Sequence, residues 1–370
     1  MWRTGERRSK AGEPTSPDAG RFGVIGSNRT TNEENFYLQK FARQGLGTGN
    51  IDHHRSGDVL TLLDALSGKP GALASTADLY NKKAVLVLAA DLAEEQPFLS
   101  FQIRANFRHH QAHVYAVTGR PVREDRYAAA SVRVERGGEL AAVESLRSKL
   151  SAEPELVILF GDAIQGEGVR RLVEFGSSLG IPVQYVCLLD YSNSRGAVDM
   201  GLAPDAGGMT IGDMLASPEL DALWVVGANP LEHGALVAKS AFIVVQEMFL
   251  TETAAVANVV LPASSAYEKA GTVTNVCGEV QRLREGLRAM GTKPDLEIIG
   301  LIAKEMGLAP MMGPWLPDAV AAEIRKNGRQ AISLPHTSPI RSSHDTLFTS
   351  GTLGRYSQVL HNVMEGRGPR

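Results

Sequence analysis

The chain has 370 residues, of which 43% are hydrophobic and 21% are charged, and its formal net charge at pH 7 is −3. This length is enough for two domains with sizeable cores, and the near balance of charge argues against a general nucleic-acid-binding protein, which carries a basic excess. Only two cysteines occur, Cys187 and Cys277. This chain alone therefore supplies neither a disulfide framework nor the four thiolates of a conventional iron–sulfur cluster.

Residues 1–20 are polar and contain several glycines, prolines and serines, which predicts a disordered tail. They lack the apolar core of a signal peptide. No apolar run in the chain approaches the roughly 20 residues that a membrane helix requires. We therefore expect a cytoplasmic location and no direct membrane insertion.

The ordered chain is predicted to begin with a strand from Arg21 to Ser27 that runs straight into a turn. Thr31 and Glu34 have the spacing of a capping box, in which two side chains satisfy the free backbone amides at a helix start. We expect a helix from there to about Gln44. Together these segments form a first β-α unit.

The middle of the chain alternates solid apolar runs with segments of helical periodicity, which is typical of a doubly wound α/β domain. The predicted strands are Ala84–Ala90, His113–Val117, Leu156–Phe160 and Val183–Leu189, and the predicted helices are Phe98–Phe107, Gly138–Leu150 and Val169–Leu179. The glycine-rich stretch Arg195–Met209 is predicted to be a loop.

Three short β-branched runs follow, at Leu223–Gly227, Phe242–Gln246 and Asn258–Leu261, with a crossover helix predicted at Glu232–Lys239. Such runs are typical of parallel strands buried on both faces. Ligands of these sheets bind at the carboxyl ends of the strands, and the loops there suit a nucleotide or a phosphate. The alternative is ordinary turn and cap chemistry, with Thr251 as a helix N-cap.

Several simpler sites are not supported. Gly161–Gly166 has the outer glycines of a phosphate-binding loop but lacks its lysine, and no strand is followed by GxGxxG, so the sequence predicts neither an ATP site nor a plain NAD site. His109, His110 and His113 have a spacing that a metal could use, but no third ligand lies nearby in sequence. A solvated helix end is the favoured interpretation.

Five segments carry a resemblance to a known family: residues 23–54, 87–97, 225–233 (VVGANPLEH), 246–281 and 347–360. They resemble the molybdopterin oxidoreductases. More closely, they are similar to the family of the large iron–sulfur subunit (the G-type subunit) of NADH-quinone oxidoreductase, respiratory complex I. The run TSGTLGRYS from Thr349 to Ser357 points to that family. The resemblance implies two Rossmann-like αβα domains, one inserted in the other.

The resemblance also implies domain boundaries. Residues 21–55 and 205–290 would form the first domain, residues 56–204 the inserted domain, and residues 291–370 a C-terminal helical and irregular extension. The family's contacts to a pterin nucleotide would fall on one crevice, which would be vestigial in a chain that binds no cofactor. Its residues in this chain are Gly26, Ser27, Asn229, Pro230, Thr251, Glu252 and Thr253.

The family uses iron–sulfur clusters and, in its molybdenum enzymes, molybdopterin guanine dinucleotide. In those enzymes the stretch corresponding to Asn50–His54 leads to a cysteine or selenocysteine that ligates the metal. Here it leads to Arg55–Asp58, with no cysteine. Ser56 and Asp58 are weak candidate ligands, because some relatives use serine or aspartate. We expect neither a metal nor another cofactor in this chain and assign no catalytic residue.

The function implied by the resemblance is that of a structural component of the hydrophilic arm of complex I, similar to its G-type subunit. Its partners would be the other hydrophilic-arm subunits, and its location would be cytoplasmic and peripheral to the inner membrane. One alternative is a molybdopterin-dependent oxidoreductase whose clusters lie on a partner chain. Others are a module that binds a pterin or guanine nucleotide, and a gene fragment without a function of its own.

Overall fold

The computed structural model describes residues 21–232, 241–328, 340, 357–364 and 366. The tail predicted for residues 1–20 lies outside the described residues. So do most of the crossover helix predicted at Glu232–Lys239 and much of the predicted C-terminal extension. In the described part of the chain, no helix is both long enough and apolar enough to cross a membrane.

The chain forms twelve strands and fifteen α-helices within the described residues. The strands are β1 (Phe22–Ile25), β2 (Ile51–Asp52), β3 (Ala84–Leu88), β4 (His113–Thr118), β5 (Ala130–Arg133), β6 (Leu156–Phe160), β7 (Val183–Cys187), β8 (Ala222–Val226), β9 (Phe242–Glu247), β10 (Val259–Pro262), β11 (Gly271–Thr274) and β12 (Val280–Leu283). The helices are α1 (Asn32–Lys40), α2 (Val59–Ala65), α3 (Thr76–Asn81), α4 (Leu92–Glu95), α5 (Pro97–His110), α6 (Glu139–Ser145), α7 (Arg147–Leu150), α8 (Glu167–Ser178), α9 (Ser194–Asp199), α10 (Ile211–Ala216), α11 (Glu252–Ala255), α12 (Asp295–Glu305), α13 (Ala309–Met312), α14 (Pro317–Asn327) and α15 (Gln358–Met364).

The first sheet is parallel and has the strand order β10-β9-β8-β1-β2. Alternate residues of each strand point to opposite faces. Val24 and Trp224, which are paired across β1 and β8, pack against α1 and α12 on one face. Ile25 and Val225 belong to the other face, where they pack with α10. The sheet is therefore covered by apolar side chains on both sides.

The second sheet is also parallel, with the order β5-β4-β3-β6-β7. All its strands lie in sequence between β2 and β8 of the first sheet. Leu86 and Leu88 face the cluster that includes α2 and α8, while Val85 and Val87 face the cluster that includes α5. The predicted α/β fold with doubly wound sheets is confirmed. The residue boundaries of the domains stay predictions.

The start of α1 follows its sequence signal. Thr31 Oγ1 accepts the amide of Glu34 at 3.2 Å, and the Glu34 carboxylate accepts the amide of Thr31 at 2.8 Å. This is the predicted capping box, and it satisfies two backbone donors that the helix leaves free. After Lys40 the helix continues as a π-helical turn, Phe41–Gly45. The observed end is therefore close to the predicted end at about Gln44.

The stretch predicted as the loop Arg195–Met209 begins instead within helix α9, so that prediction was wrong for its first residues. Asn193 fixes the turn before the helix. Its side-chain Nδ2 donates to Thr30 O at 2.6 Å, and its side-chain oxygen accepts the backbone amide of Thr274 at 2.7 Å. Thr30 and Thr274 are distant from Asn193 in sequence, so the glycine-rich composition of the stretch did not predict helix α9.

Gly176 of α8 packs closely against Tyr185 of the second sheet. A Cβ atom added at Gly176 would lie 1.9 Å from Tyr185 Oη, on the neighbouring strand β7, whereas at Gly168 of the same helix its nearest neighbour would be 3.6 Å away. We predict that Gly176→Ala lowers the free energy of unfolding by about 1–3 kcal/mol through overpacking. Urea unfolding monitored by circular dichroism measures this change.

Gly168→Ala is the matched control. It has room for its methyl group, and alanine favours helix over glycine, so its unfolding free energy should be unchanged or higher. Equal destabilisation by the two substitutions would contradict the packing described for α8 and β7.

Candidate functional site

The candidate crevice lies where β1 and β8 end, which is the position at which the strand order of the first sheet reverses direction. Two loops meet there. Ser27 Oγ donates to Gly227 O at 2.6 Å and accepts the amide of Arg29 at 3.0 Å. Gly227 has a φ of +62°, in the left-handed region that favours glycine. A Cβ atom at Gly26 would lie 2.6 Å from Leu202 Cδ1, so this turn is tightly packed.

The next two loops are joined by the side chain of Asn229. Its amide nitrogen donates to Glu252 Oε2 at 2.7 Å, and its oxygen accepts the Thr253 hydroxyl at 2.7 Å. Thr251 caps α11 by accepting the amide of Ala254 at 3.1 Å. The structure thus brings the predicted crevice residues, including Pro230, to one edge of the sheet. Those side chains bond chiefly to each other and to nearby backbone, as the cap interpretation expects.

A small cleft lies beside these loops, lined by residues that include Thr30, Gly227, Ser264, Lys269 and Asp295. Its volume is about 30 Å³. A cavity needs at least about 10–15 Å³ by this measure to hold one water. The cleft as it stands therefore has room for about two waters by this measure.

The floor of the cleft holds a buried ionic triad. Lys269 Nζ lies 2.9 Å from Glu34 Oε2 and 2.7 Å from Asp295 Oδ2, and all three side chains are at most 5% exposed. Gln246 Nε2 also donates to Asp295 Oδ1, at 2.7 Å. The triad joins α1, α12, β9 and the segment leading into β11.

Burial and charge act against each other in this triad. Burial raises the pKa of Glu34, and the attraction of Lys269 opposes that rise. Burial alone would lower the pKa of Lys269, but the carboxylates of Asp295 and Glu34 outweigh it and hold the pKa above its usual range. Sequence reasoning missed the triad. The capping box located Glu34, but nothing local indicated its distant partners.

Ser56 and Asp58, the weak candidates for a metal ligand, form a link to the second sheet. Ser56 Oγ accepts the amide of Asp190 at 2.8 Å. Asp58 Oδ2 accepts the amide of Gly166 at 2.7 Å, while its Oδ1 accepts the Arg55 guanidinium and the amide of Thr61, both at 3.3 Å. Both residues are buried, and the hydrogen bonds of Asp58 use both its oxygens.

The backbone around this link is also closely packed. A Cβ atom at Gly57 would lie 2.4 Å from Leu188 O and 3.3 Å from Cys187 Sγ. Burial raises the pKa of the Cys187 thiol above its usual range, which disfavours the thiolate that a metal requires. Among the described residues, no group of three or more histidine, cysteine or acidic side chains could hold a metal ion.

The histidines noted in the sequence do not converge. His109 and His110 lie at the exposed end of α5, where both contact the ring of Tyr80. His113 begins β4 and bonds Glu153 Oε1 at 2.7 Å. His53 is buried, and its Nδ1 contacts Leu202 O. Each therefore has a structural contact of its own.

A family model described as molybdopterin oxidoreductase matches residues 13–305. The chain belongs to the molybdopterin oxidoreductase family. Its fold agrees with this membership. Acetylene hydratase from Pelobacter acetylenicus aligns with a TM-score of 0.52 and 12% sequence identity, over 87% of this chain and 61% of that one.

Relatives within the family have several different names. The chain is 24% identical to the F420-dependent formate dehydrogenase subunit alpha of Methanocaldococcus jannaschii, over 82% of this chain and 60% of the relative. It is 28% identical to the second G-type subunit of NADH-quinone oxidoreductase from Rhizobium meliloti, over 78% of this chain and 44% of the relative. The chain thus spans less than two thirds of each, and its similarity to the complex I protein is not specific.

The residues present do not fit the metal centre that the family name implies. The two candidate ligands are engaged by backbone amides and by Arg55, and the neighbouring thiol is buried. In the crevice, the polar side chains of Asn229, Glu252 and Thr253 bond to one another, so a pterin nucleotide would have to displace these hydrogen bonds. The absence of a cofactor from this chain stays a prediction.

The ionic triad of Lys269, Glu34 and Asp295 is expected to contribute to the stability of the fold. We predict that Lys269→Met lowers the free energy of unfolding by about 3–5 kcal/mol, because it leaves two buried carboxylates without a cation. The carboxyls then bind protons more tightly in the folded state, so lowering the pH stabilises that state. The deficit relative to the unmodified chain should be larger at about pH 8 than at about pH 5.

Lys293→Met is the matched control, because Lys293 forms an exposed pair with Glu297 nearby in the chain. Its effect should be below about 1 kcal/mol. Urea unfolding at both pH values measures both variants. A Lys269→Met deficit as small as that of the control would show that the triad does not stabilise the fold.

Proposed function

We propose that this chain is a component of NADH-quinone oxidoreductase, similar to its G-type subunit, and acts there as a structural part without a redox centre of its own. The observation that carries the proposal is the engagement of Ser56 and Asp58. The loop that would present the metal ligand in a molybdenum enzyme of the family here bonds the second sheet instead.

The same contacts support a structural role. Asp58 connects the loop after β2 to Gly166, at the start of α8, and Ser56 connects it to Asp190, after β7. The triad fixes the hairpin of β11 and β12 next to α1. In addition, Glu33 accepts the amide and the hydroxyl of Thr272 at 2.7 and 2.8 Å. Such connections favour a rigid framework for binding neighbouring subunits.

Relatives named as NADH-quinone oxidoreductase subunits support the assignment to complex I. They include the protein of Rhizobium meliloti and one of Mycobacterium tuberculosis, which is 24% identical over 78% of this chain. The proposed partners are therefore other subunits of the hydrophilic arm, and the proposed location is the cytoplasmic side of the inner membrane, reached through the complex.

The competing function is that of a molybdopterin-dependent oxidoreductase with clusters on a partner chain. The match to the formate dehydrogenase protein favours it. That function requires the loop of Ser56 and Asp58 to release its contacts with Asp190 and Gly166, and the side chain of Asn229 to release Glu252 and Thr253. The number of bonds that must break makes this the weaker proposal.

Affinity purification from the native host tests the assignment. We expect the tagged chain to retain other complex I subunits in constant ratio through a second, size-based separation, because a structural subunit remains bound to its neighbours. Quantitative mass spectrometry of the eluted proteins measures this ratio, and a tagged cytosolic protein of unrelated fold is the control. Recovery of the chain alone, or with formate dehydrogenase subunits, would contradict the proposal.

A further inference from the structure

Helix α5 carries an exposed aromatic and basic face on the second sheet. Its inward side holds Leu99 and Ile103, which are buried against the sheet. On its outward side Phe98 is 59% exposed and Phe101 is 64% exposed. Large apolar side chains clustered at a surface commonly mark a site of interaction.

A cavity opens beside these phenylalanines, between α5 and the 3-10 helix Arg123–Arg126. It has a volume of about 230 Å³ and is lined by Ala93, Pro97, Ser100, Phe101, Arg104 and Arg123. This is smaller than the range of about 300–1,000 Å³ typical of pockets for small-molecule ligands. It suits one or two apolar side chains of a partner better than a complete cofactor.

The surface around the cavity is positively charged. Arg104, Arg108, Arg123 and Arg126 are exposed, and within the described part of the chain the guanidinium group of none of them makes an ion pair or a hydrogen bond. Other arginines near this sheet do form ion pairs. Arg120, for example, lies 2.7 Å from Glu94 Oε2.

The acidic residues between these arginines do not neutralise the surface. Glu124 is buried behind the cavity, where its Oε1 accepts Ser100 Oγ at 2.6 Å, and its second oxygen has no protein partner in the described residues. Asp125 is engaged by Arg133, Ser131 and the amide of Val122. Two exposed acids, Glu94 and Glu95, also lie close to Phe98. Glu94 pairs with Arg120 at 2.7 Å and Glu95 accepts the backbone amide of Asp91 at 3.0 Å, whereas the guanidinium groups of Arg104 and Arg123 at the cavity have no ion pair in the described residues.

We propose that this face, defined by Phe98, Phe101, Arg104 and Arg123, binds an acidic segment of a protein partner and takes an apolar side chain of that segment into the cavity. Arginine and phenylalanine are enriched in protein interfaces, and the arginine guanidinium binds carboxylates in a fork geometry. The positive charge of the arginines favours an acidic segment of the partner over a neutral or basic one. The inference concerns a different surface from the crevice and does not depend on the assignment to complex I.

The test uses the full chain and a short fluorescein-labelled peptide of glutamates with two central phenylalanines. We expect fluorescence polarisation to detect binding that weakens as salt is added. Binding should weaken roughly tenfold or more in Arg104→Glu/Arg123→Glu and in Phe101→Ser, because interface energy is concentrated in such anchors. A peptide with lysines in place of the glutamates should not bind.

Arg171→Glu is the matched control. Arg171 is an exposed arginine of α8, which packs on the opposite face of the same sheet, so its reversal should leave the affinity unchanged. Circular dichroism confirms that each variant folds. Failure to bind the acidic peptide, or equal weakening by the control, would overturn the proposal. So would binding to phosphatidylserine vesicles, but not to the peptide, that is lost in the Arg104→Glu/Arg123→Glu variant.

Discussion

The buried ammonium group of Lys269, held between the carboxylates of Glu34 and Asp295, is the interaction on which the edge of the first sheet depends. The cation comes from the segment before β11, and the two anions come from the first turns of α1 and α12. Such a triad need not be more stable than an apolar replacement, but losing one member leaves buried charge uncompensated. The arrangement therefore constrains the relative positions of three segments that are far apart in the chain. Glu34 serves twice, because it also completes the capping box with Thr31.

A second constraint connects the two sheets. The resemblance implies that the loop after β2 corresponds to the segment that presents the metal ligand in the molybdenum enzymes of the family. Here Ser56 and Asp58 accept the backbone amides of Asp190, after β7, and Gly166, before α8. Gly57 between them lies so close to Leu188 O that no side chain fits there. Within the described residues, the side chains of Ser56 and Asp58 are thus engaged in contacts that hold the fold together.

The sequence predicted the features that depend on local signals. Eight of the ten strands of the two parallel sheets follow from apolar runs, and the start of α1 follows from Thr31 and Glu34. The short edge strands β2 and β5 were not predicted. The features it missed depend on partners that lie far along the chain. Lys269 and Glu34 are separated by 235 positions, and Asp58 and Gly166 by 108, so no periodicity or spacing connects them. Helix α9 was missed for the same reason, since Asn193 stabilises its start through Thr30 and Thr274. The crevice residues implied by the resemblance lie at one edge of the first sheet, but whether their polar groups are available for a ligand depends on long-range packing.

If Ser56 and Asp58 form a structural link, the chain holds no metal at that position. The most direct measurement is the molybdenum, tungsten and pterin content of the chain purified from its native host, by elemental analysis and by fluorescence after oxidative release. The structural link predicts no metal and no pterin above the level of a control protein purified in the same way. Metal and pterin close to one per chain, lost in Ser56→Ala or Asp58→Ala variants that still fold, would contradict it.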